Sequence, residues 1–491
     1  GIIDSHAHAL GAGLSELREP LPRIHSIADM QEYIRQQAAR LGPGKWILVP
    51  RTFPTRLAEH RMPTKADFDP VSPNNPALYD ASYTVVVNSY ALRQAGITRD
   101  TKPPATGEIG KDANGEPNGI LRGAASLLKG VPSEGAGFSE QEKLEGLQNI
   151  FKRYNQVGIT TTTERAASLA DIRTLEALRK SGRMTARLHA TIRFDATRPV
   201  EEVVKQIESL PWKPHSGDDW FQIDTLKVTL DGGMTIGTAY QRVPYGPFAR
   251  ILYAHENPNF RGLLNIGPDK LARIVGAAHR LGWQFTAHAQ GGGAVDALLD
   301  AYQRADADRP LAPGRMLITH GSFSGQRATE RMKELGVLMD AQPAWLYKDA
   351  PMLAKVMDEK AMSMFIPLKA WRDAGVVTGG GSDHMLGYDP LTANNPFSPF
   401  LSMWVAVTRR TEAGPVLQPE QRISRQDALR LYTRNAAYLL FAEKTRGTLE
   451  PGKLADLVVL SDDLLTCPED RIRDIRSVLT MVDGRIVYEA R

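Results

Sequence analysis

Segments with the periodicity of strands alternate along this chain with segments that have the periodicity of helices, and this pattern is compatible with few folds. Short runs rich in β-branched residues are separated by longer stretches in which apolar residues recur with helical spacing. This is the pattern of βα units around a parallel sheet. The candidate strands are residues 2–8, 158–164, 186–194, 225–231, 283–288, 315–320, 337–341 and 376–383. Eight such strands predict an α/β fold, a closed (β/α)8 barrel.

The stretches between the candidate strands have the apolar periodicity of amphipathic helices, with charged residues on the opposite face. The candidate helices are residues 139–157, 168–181, 269–281, 293–306, 326–336 and 352–374. Helices at these places would cover the outside of the barrel.

Two parts of the chain depart from this rhythm. Residues 44–135 are rich in Pro, Asn and Gly and too long for a plain loop, so they predict an inserted subdomain with its own strands. The tail contains short strands joined by turns such as Asp483-Gly484, and it predicts part of a small β-sandwich domain formed by the chain ends. We therefore divide the chain into the start of the barrel (1–43), the insert (44–135), the rest of the barrel (136–445) and the C-terminal part of the small β domain (446–491).

Composition excludes several classes of protein. The formal net charge of +4 is spread along the chain with no basic block, so we expect neither a nucleic-acid nor a membrane partner. The single cysteine, Cys467, excludes an internal disulfide. The sequence opens directly on the first predicted strand and has no initiator Met, so we expect a preceding segment, and localisation (cytoplasmic or exported) stays open.

Histidine and aspartate residues recur at the predicted strand ends. His6 and His8 share one face of the first strand, an arrangement that arises by chance often when it stands alone. His288, His320 and Asp383 then end the fifth, sixth and eighth strands. The C-terminal strand ends of a barrel meet in space, and imidazole with carboxylate is a ligand set for a divalent metal. Together the five residues predict a metal site.

Lys227 is a sixth candidate, on the fourth strand. Its neighbours Leu226 and Val228 should pack against the outer helices, which directs the lysine into the barrel. Two interpretations stay open. A carbamate formed with CO2 would make the side chain an anionic ligand that bridges two metals, whereas a structural lysine would pair with Asp231 or Glu164.

Several motifs carry a resemblance to a known family. They are Asp4-Ser5-His6-Ala7-His8, Lys227 with Asp231-Gly232-Gly233, Ala287-His288-Ala289, Thr319-His320, Gly381-Ser382-Asp383 and the tail from Gly447 to Leu457. Over essentially its whole length the chain resembles the amidohydrolase superfamily. Within it, Val87-Asn88-Ser89 and Gly115-Glu116-Pro117-Asn118-Gly119 of the insert resemble the amidohydrolase-3 branch that includes N-substituted formamide deformylase.

The resemblance implies a site and a reaction. His6, His8 and Asp383 would bind one metal, and carboxylated Lys227 would bridge to a second metal held by His288 and His320. The metal would be divalent, zinc above all, with one or two ions per chain, and relatives of this kind often form homodimers. A metal-activated hydroxide would attack a small-molecule substrate and cleave a C–N bond of an amide, an N-formyl or N-acyl amine or a cyclic amide. Asp383 would act as general base and then acid.

Three alternatives remain beside this function. A deaminase would use the same barrel with a single metal and no bridging lysine, so Lys227 argues against it. Ester or lactone hydrolysis would need only the same attack on a carbonyl. A non-enzymatic assembly or regulatory relative would be expected to lose ligands, and here every ligand type is present.

Four further residues are candidates for contact with the substrate. Tyr83 stands where we expect a histidine of the insert in this branch. Arg193 lies near the end of the third strand with its side chain directed inward, where it would bind a substrate carboxylate or form a structural ion pair. Trp345 and Tyr347 begin the loop beyond the seventh strand and would wall an apolar pocket.

Overall fold

The strands of the protein form three separate sheets. The computed structural model describes residues 1–133 and 135–490. The strands are β1 (Ile2–Ala7), β2 (Ile47–Val49), β3 (Ala77–Asp80), β4 (Thr84–Val87), β5 (Glu108–Lys111), β6 (Pro117–Arg122), β7 (Ile159–Ala167), β8 (Arg187–Arg193), β9 (Ser216–Gly217), β10 (Phe221–Thr229), β11 (Gln284–Ala289), β12 (Leu317–His320), β13 (Leu338–Ala341), β14 (Thr378–Gly380), β15 (Leu457–Leu460), β16 (Ser477–Val482) and β17 (Arg485–Glu489).

The central sheet is a parallel barrel, as predicted. Its order is β1-β7-β8-β10-β11-β12-β13-β14, with β9 added at the edge of β10. The ends of the path meet just beyond β14, where Asp383 N donates to His6 O at 2.7 Å and His8 N donates to His384 O at 2.8 Å. All eight strands lie at the positions predicted from the sequence, with ends that differ by a few residues. The predicted (β/α)8 fold class is confirmed.

Helices surround the barrel and fill the connections between its strands. The helices are α1 (Ala9–Ser15), α2 (Ile27–Leu41), α3 (Lys65–Phe68), α4 (Ser89–Ala95), α5 (Glu140–Gln156), α6 (Leu169–Lys180), α7 (Val200–Glu208), α8 (Pro247–Tyr253), α9 (Pro268–Arg280), α10 (Gly292–Asp308), α11 (Gln326–Leu335), α12 (Ala344–Val356), α13 (Glu359–Ser363), α14 (Leu368–Ala374), α15 (Pro399–Thr408), α16 (Arg425–Leu431) and α17 (Arg434–Leu439). Among the described residues none of these is long and apolar enough to cross a lipid bilayer.

Five of the six predicted helices are present as α5, α6, α9, α10 and α11, but the predicted single helix over 352–374 is wrong. The chain there forms the end of α12, then α13 and α14. Asp358 caps α13 by accepting from Ala361 N, and Pro367 stands immediately before α14. An N-capping aspartate starts a new helix, and a proline is disfavoured inside one. The helix is therefore interrupted twice, although the apolar periodicity of the sequence continues through both interruptions.

The barrel core is built on alternation along the strands. In β10 the side chains of Leu226 and Val228 are fully buried and join the main apolar core with helix residues such as Leu271 and Ile274 of α9. Lys227 lies between them in sequence, on the opposite, inner face. The strand thus buries its apolar face outward and presents its polar residues to the barrel interior, as the sequence predicted.

The insert contains a sheet of its own in the order β2-β3-β4-β6-β5. One face, which includes Leu78, Val85 and Leu121, forms a separate apolar cluster. The other face, which includes Tyr79 and Val86, packs into the core of the barrel. The insert is therefore anchored to the barrel through one side of its sheet.

The tail forms a three-stranded antiparallel sheet, β15-β16-β17. A buried ion pair joins it to the barrel, because Arg187 of β8 donates to both carboxylate oxygens of Asp456 at 2.7 and 2.9 Å. Charge-assisted, two-pronged pairs of this kind fix orientation as well as distance.

Candidate metal centre and active-site cavity

The six side chains predicted as metal ligands gather at the C-terminal end of the barrel. They are His6 in β1, His8 directly after it, Lys227 in β10, His288 in β11, His320 at the end of β12 and Asp383 beyond β14. All are buried except His8, whose side chain is 25% exposed. Parallel strands end at the same rim of a barrel, which brings together residues that are up to 377 positions apart in sequence.

His6, His8 and Asp383 form the tightest cluster. Asp383 Oδ1 lies 3.3 Å from His6 Nε2 and 3.2 Å from His8 Nε2. One ligand atom from each of the three residues lies within 4.8 Å of the others. The Nε2 atom of His6 is buried and has no hydrogen-bond partner within the part of the chain that the structure describes. A buried imidazole nitrogen is rarely left unsatisfied, and this donor set fits a divalent cation.

The carboxylate of Asp340 orients the His6 ring through the nitrogen on the side away from Asp383. His6 Nδ1 lies 2.9 Å from Asp340 Oδ2, and Asp340 also accepts from Ser5 Oγ at 2.8 Å. Arg165 Nε lies 3.4 Å from the same carboxylate oxygen. Burial alone would raise the pKa of Asp340, but Arg165 and His6 hold it at about 2. The ionised carboxylate keeps a proton on His6 Nδ1 and leaves Nε2 available to a metal.

His288 and His320 form the second half of the cluster, with ring centres 4.5 Å apart. His288 Nδ1 lies 2.9 Å from Asp231 Oδ1, and His320 Nδ1 lies 2.7 Å from Gln342 Oε1. Burial lowers the pKa of His288 to about 3 and that of His320 well below its ordinary value. Both rings are therefore neutral and present Nε2 as a lone-pair donor, the form that binds metals.

Lys227 is enclosed between these two halves and is only 3% exposed. Within the described residues no hydrogen bond or ion pair joins its ammonium group to Asp231 or Glu164. Asp231 is occupied by His288 and by the backbone N–H groups of Gln290 and Gly291. The structure therefore lacks the salt bridge of the alternative interpretation. Burial lowers the pKa of Lys227 to about 8.

Asp383 is held in place by two donors. Trp345 Nε1 donates to Asp383 Oδ2 at 3.1 Å, and Asn395 Nδ2 donates to the Asp383 carbonyl oxygen at 2.6 Å. Its backbone φ of 52° is in the left-handed region, a strained conformation that the surroundings must maintain. Burial favours the neutral acid, yet the neighbouring His6 and His8 hold the pKa of Asp383 well below its ordinary value.

A cavity of 690 Å³ opens over this cluster, a size typical of small-molecule sites. Three of the four predicted substrate contacts, Tyr83, Arg193 and Trp345, line it. The Tyr83 ring lies 4.8 Å from the His288 ring. Tyr347 is not among the residues that line this cavity, and its contact with a substrate stays a prediction. Both Trp345 and Tyr347 lie in α12 rather than in a loop, and the helix turns Tyr347 towards Trp404, with ring centres 6.2 Å apart.

Sequence reasoning missed the residues that support the ligands: Asp340, Arg165, Gln342 and the role of Asp231. A signal existed for Asp340, because it is a lone carboxylate within the buried strand Leu-Met-Asp-Ala. A buried charge in such a strand needs a partner. Its alternation places it on the inner face with Leu338, whereas Met339 and Ala341 belong to the apolar core.

Comparisons with known proteins agree with this geometry. The family model described as "Amidohydrolase family" matches residues 1–488. The N-substituted formamide deformylase of Arthrobacter pascens is 27% identical over 517 residues, covering all of this chain and 88% of that protein. The putative amidohydrolase YtcJ of Bacillus subtilis (strain 168) is 26% identical, again over all of this chain and 88% of the relative.

Among solved structures, an uncharacterized metal-dependent hydrolase from Pyrococcus horikoshii OT3 matches 96% of this chain and 86% of its own. The TM-score is 0.67 at 21% identity, a likeness in fold. The resemblance read from the motifs is confirmed by the match over residues 1–488: this chain belongs to the amidohydrolase family and is an enzyme that hydrolyses carbon–nitrogen bonds.

Proposed function

We propose that this protein is a metal-dependent hydrolase of small amides, acting on an N-formyl or N-acyl amine or a cyclic amide. The observation that carries the proposal is the convergence of six ligand-type side chains at one end of the barrel, where five of them line one cavity and His6 lies beside His8 and Asp383. The names of the relatives support it, since one is an N-substituted formamide deformylase and a structural neighbour is a metal-dependent hydrolase.

The ligand set supports two ions, with zinc as the metal. His6, His8 and Asp383 would hold one ion, and His288 and His320 would hold the second. A set of two neutral imidazole nitrogens and one carboxylate oxygen suits zinc. When bound, a divalent cation supplies Lewis acidity and lowers the pKa of a coordinated water towards neutrality.

Lys227 completes this set as a carbamate. Its burial lowers the amine pKa to about 8, which enlarges the neutral fraction that reacts with CO2. In that reaction the neutral amine nitrogen forms a bond to the carbon of CO2, one C=O π bond opens to give a carboxylate, and the nitrogen loses one proton. Together with the proton lost when the ammonium group becomes neutral, two protons are released and a cation becomes an anion. An anion at this position relieves the cost of enclosing an ammonium group beside metals.

Asp383 carries the proton transfers. Its carboxylate, ionised because its pKa is held low, accepts a proton from the attacking water as the oxygen adds to the carbonyl carbon. It then delivers that proton to the nitrogen as the C–N bond breaks, which releases an acid and an amine. The Trp345 N–H, 3.1 Å from Oδ2, keeps the other oxygen directed at the reacting centre.

The test is metal content by elemental analysis combined with product analysis on freshly purified protein. We expect about two ions per chain, one fewer in Lys227→Ala, and no loss in Lys143→Ala, which lines the cavity but pairs with Glu140. N-formyl and N-acyl amines should yield acid and amine, and Asp383→Asn should abolish turnover. Ammonia release from amidine-like rings, with one ion that persists in Lys227→Ala, would favour a deaminase instead.

A further inference from the structure

Arg193 occupies a distinctive place in the cavity wall. It is the last residue of β8, on the strand face that also carries His189 and Thr191, and Thr191 Oγ1 accepts from buried Arg165 inside the barrel. In the pairing of β8 with β10, Arg193 stands opposite Lys227, and Phe194 N donates to Lys227 O at 2.9 Å. The guanidinium therefore emerges at the mouth of the barrel, one strand away from the metal ligands.

Arg193 also differs from Lys143 and Arg51, two other cations that line the cavity. Lys143 donates to Glu140 at 2.6 Å, and the guanidinium of Arg51 bonds to Asp80. For Arg193 the described residues provide no hydrogen bond and no ion pair. Its acidic neighbour in sequence, Asp195, instead lies 3.8 Å from Arg198 and accepts from Thr197.

The carboxylates that share the cavity are occupied as well. Asp171 caps α6 by accepting from Ser168 N at 2.8 Å, and Glu164 accepts from Leu10 N at 3.1 Å. An unpaired arginine on a convex surface is ordinary, but one that lines a concave site beside the reacting centre is available to a ligand. The planar guanidinium matches a carboxylate with two parallel hydrogen bonds, which gives it preference for that group.

The spacing limits where the carboxylate stands in the ligand. Neighbouring parallel strands lie about 4.8 Å apart, so the backbones of Arg193 and Lys227 are adjacent and both side chains line the same cavity. One small molecule can therefore reach the Arg193 guanidinium while its carbonyl is held over Lys227. We infer that the substrate is an anion with a carboxylate close to the scissile C–N bond, as in an N-formyl or N-acyl amino acid, and that Arg193 binds this carboxylate. The inference rests on the proposed function and specifies its substrate class.

The test compares two substrates that differ only in the carboxylate. N-formylphenylalanine, as each enantiomer, is paired with N-formyl-2-phenylethylamine, and the ratio of their kcat/KM values is measured for the metal-loaded enzyme. We expect the wild type to favour the better enantiomer of the acid at least tenfold. The ratio should fall about ten- to a hundredfold in Arg193→Gln, the effect of losing a charge-assisted hydrogen bond. The ratio for Arg193→Lys should lie between those of the wild type and Arg193→Gln.

Lys143→Gln is the matched control, because it removes a cavity cation that already has a partner, and it should leave the ratio unchanged. A wild type that prefers the neutral amide, or a ratio that Arg193→Gln leaves intact, overturns the inference while the proposed function stands. If neither compound is hydrolysed, calorimetric binding of N-formylphenylalanine decides. Binding that weakens tenfold in Arg193→Gln supports the carboxylate site although the proposed function fails, and equal binding refutes both.

Discussion

Arg165 and Asp340 form a charge pair enclosed in the barrel, so neutralising the aspartate should leave a buried arginine without its ion-pair partner. Both side chains have 0% exposure, and Arg165 Nε lies 3.4 Å from Asp340 Oδ2. With an effective dielectric constant of about 20, unit charges at this separation attract by about 5 kcal/mol. Removing one partner of a buried pair costs about 3–5 kcal/mol. We expect Asp340→Asn to lower the free energy of unfolding by about 4 kcal/mol.

Differential scanning calorimetry of chelator-treated protein measures this loss without a contribution from metal affinity. An unfolding entropy of about 2.1 cal/mol/K per residue amounts to about 1 kcal/mol/K over the 491 residues. The midpoint temperature of Asp340→Asn should therefore fall by about 4 °C. In the metal-loaded protein the same variant should bind zinc about 10- to 100-fold more weakly, because His6 loses its orienting partner.

Arg165→Met and the double variant Arg165→Met/Asp340→Asn provide the control. If the two charges stabilise each other, the double variant should lose at least about 2 kcal/mol less than the sum of the two single variants. A midpoint for Asp340→Asn within 1 °C of the wild type, or strictly additive losses, would refute the reasoning.

Three further perturbations test other parts of the structure. The pKa of Asp456 is lowered because its interaction with the buried Arg187 outweighs the effect of desolvation. The ion pair therefore stabilises the fold at neutral pH, and this stabilisation is lost as the pH falls below about 4. Asp456→Asn should make the free energy of unfolding depend less on pH in this acidic range, and an unchanged dependence would contradict the reasoning. A Cβ at Gly381 would lie 2.7 Å from the backbone nitrogen of His6, so elemental analysis should show a loss of bound metal in Gly381→Ala. A Cβ at Gly267 would meet no described atom within 4 Å, so Gly267→Ala should retain the metal. Trp345→Phe should lower kcat about five- to tenfold. Trp404→Phe should not, because Trp404 Nε1 has no hydrogen-bond partner among the described residues. Equal effects would exclude a specific role for the hydrogen bond from Trp345 to Asp383.

The barrel and its ligand candidates were predictable from sequence because both depend on local periodicity. Alternation within a strand decides which side chains point inward, and the shared rim of parallel strands then brings His6 and His288 together without knowledge of loops. The prediction of one helix over 352–374 was wrong because it also relied on periodicity. The apolar spacing continues through this segment, but Asp358 and Pro367 interrupt the helix.

The supporting residues were harder to predict, because their role depends on contacts between strands far apart in sequence. Nothing in the sequence distinguishes Gln342 from other polar residues, and its role follows only from the 2.7 Å contact between its Oε1 and His320 Nδ1. The direction of the Tyr347 side chain was not predictable either, because it is set by where α12 begins. A shift of two residues along a helix turns a side chain by more than half a circle.

The two-faced sheet of the insert has a consequence for how this enzyme can acquire new specificities. Arg51 and Tyr83 of the insert line the cavity, whereas every ligand candidate belongs to the barrel. Because one face of the insert sheet has its own apolar cluster, a replacement at Ser82 would change the wall of the cavity without removing a ligand candidate. A replacement at Tyr83 would also change the packing against the His288 ring. Natural divergence and directed evolution can therefore vary the substrate through the insert while the barrel keeps the chemistry constant.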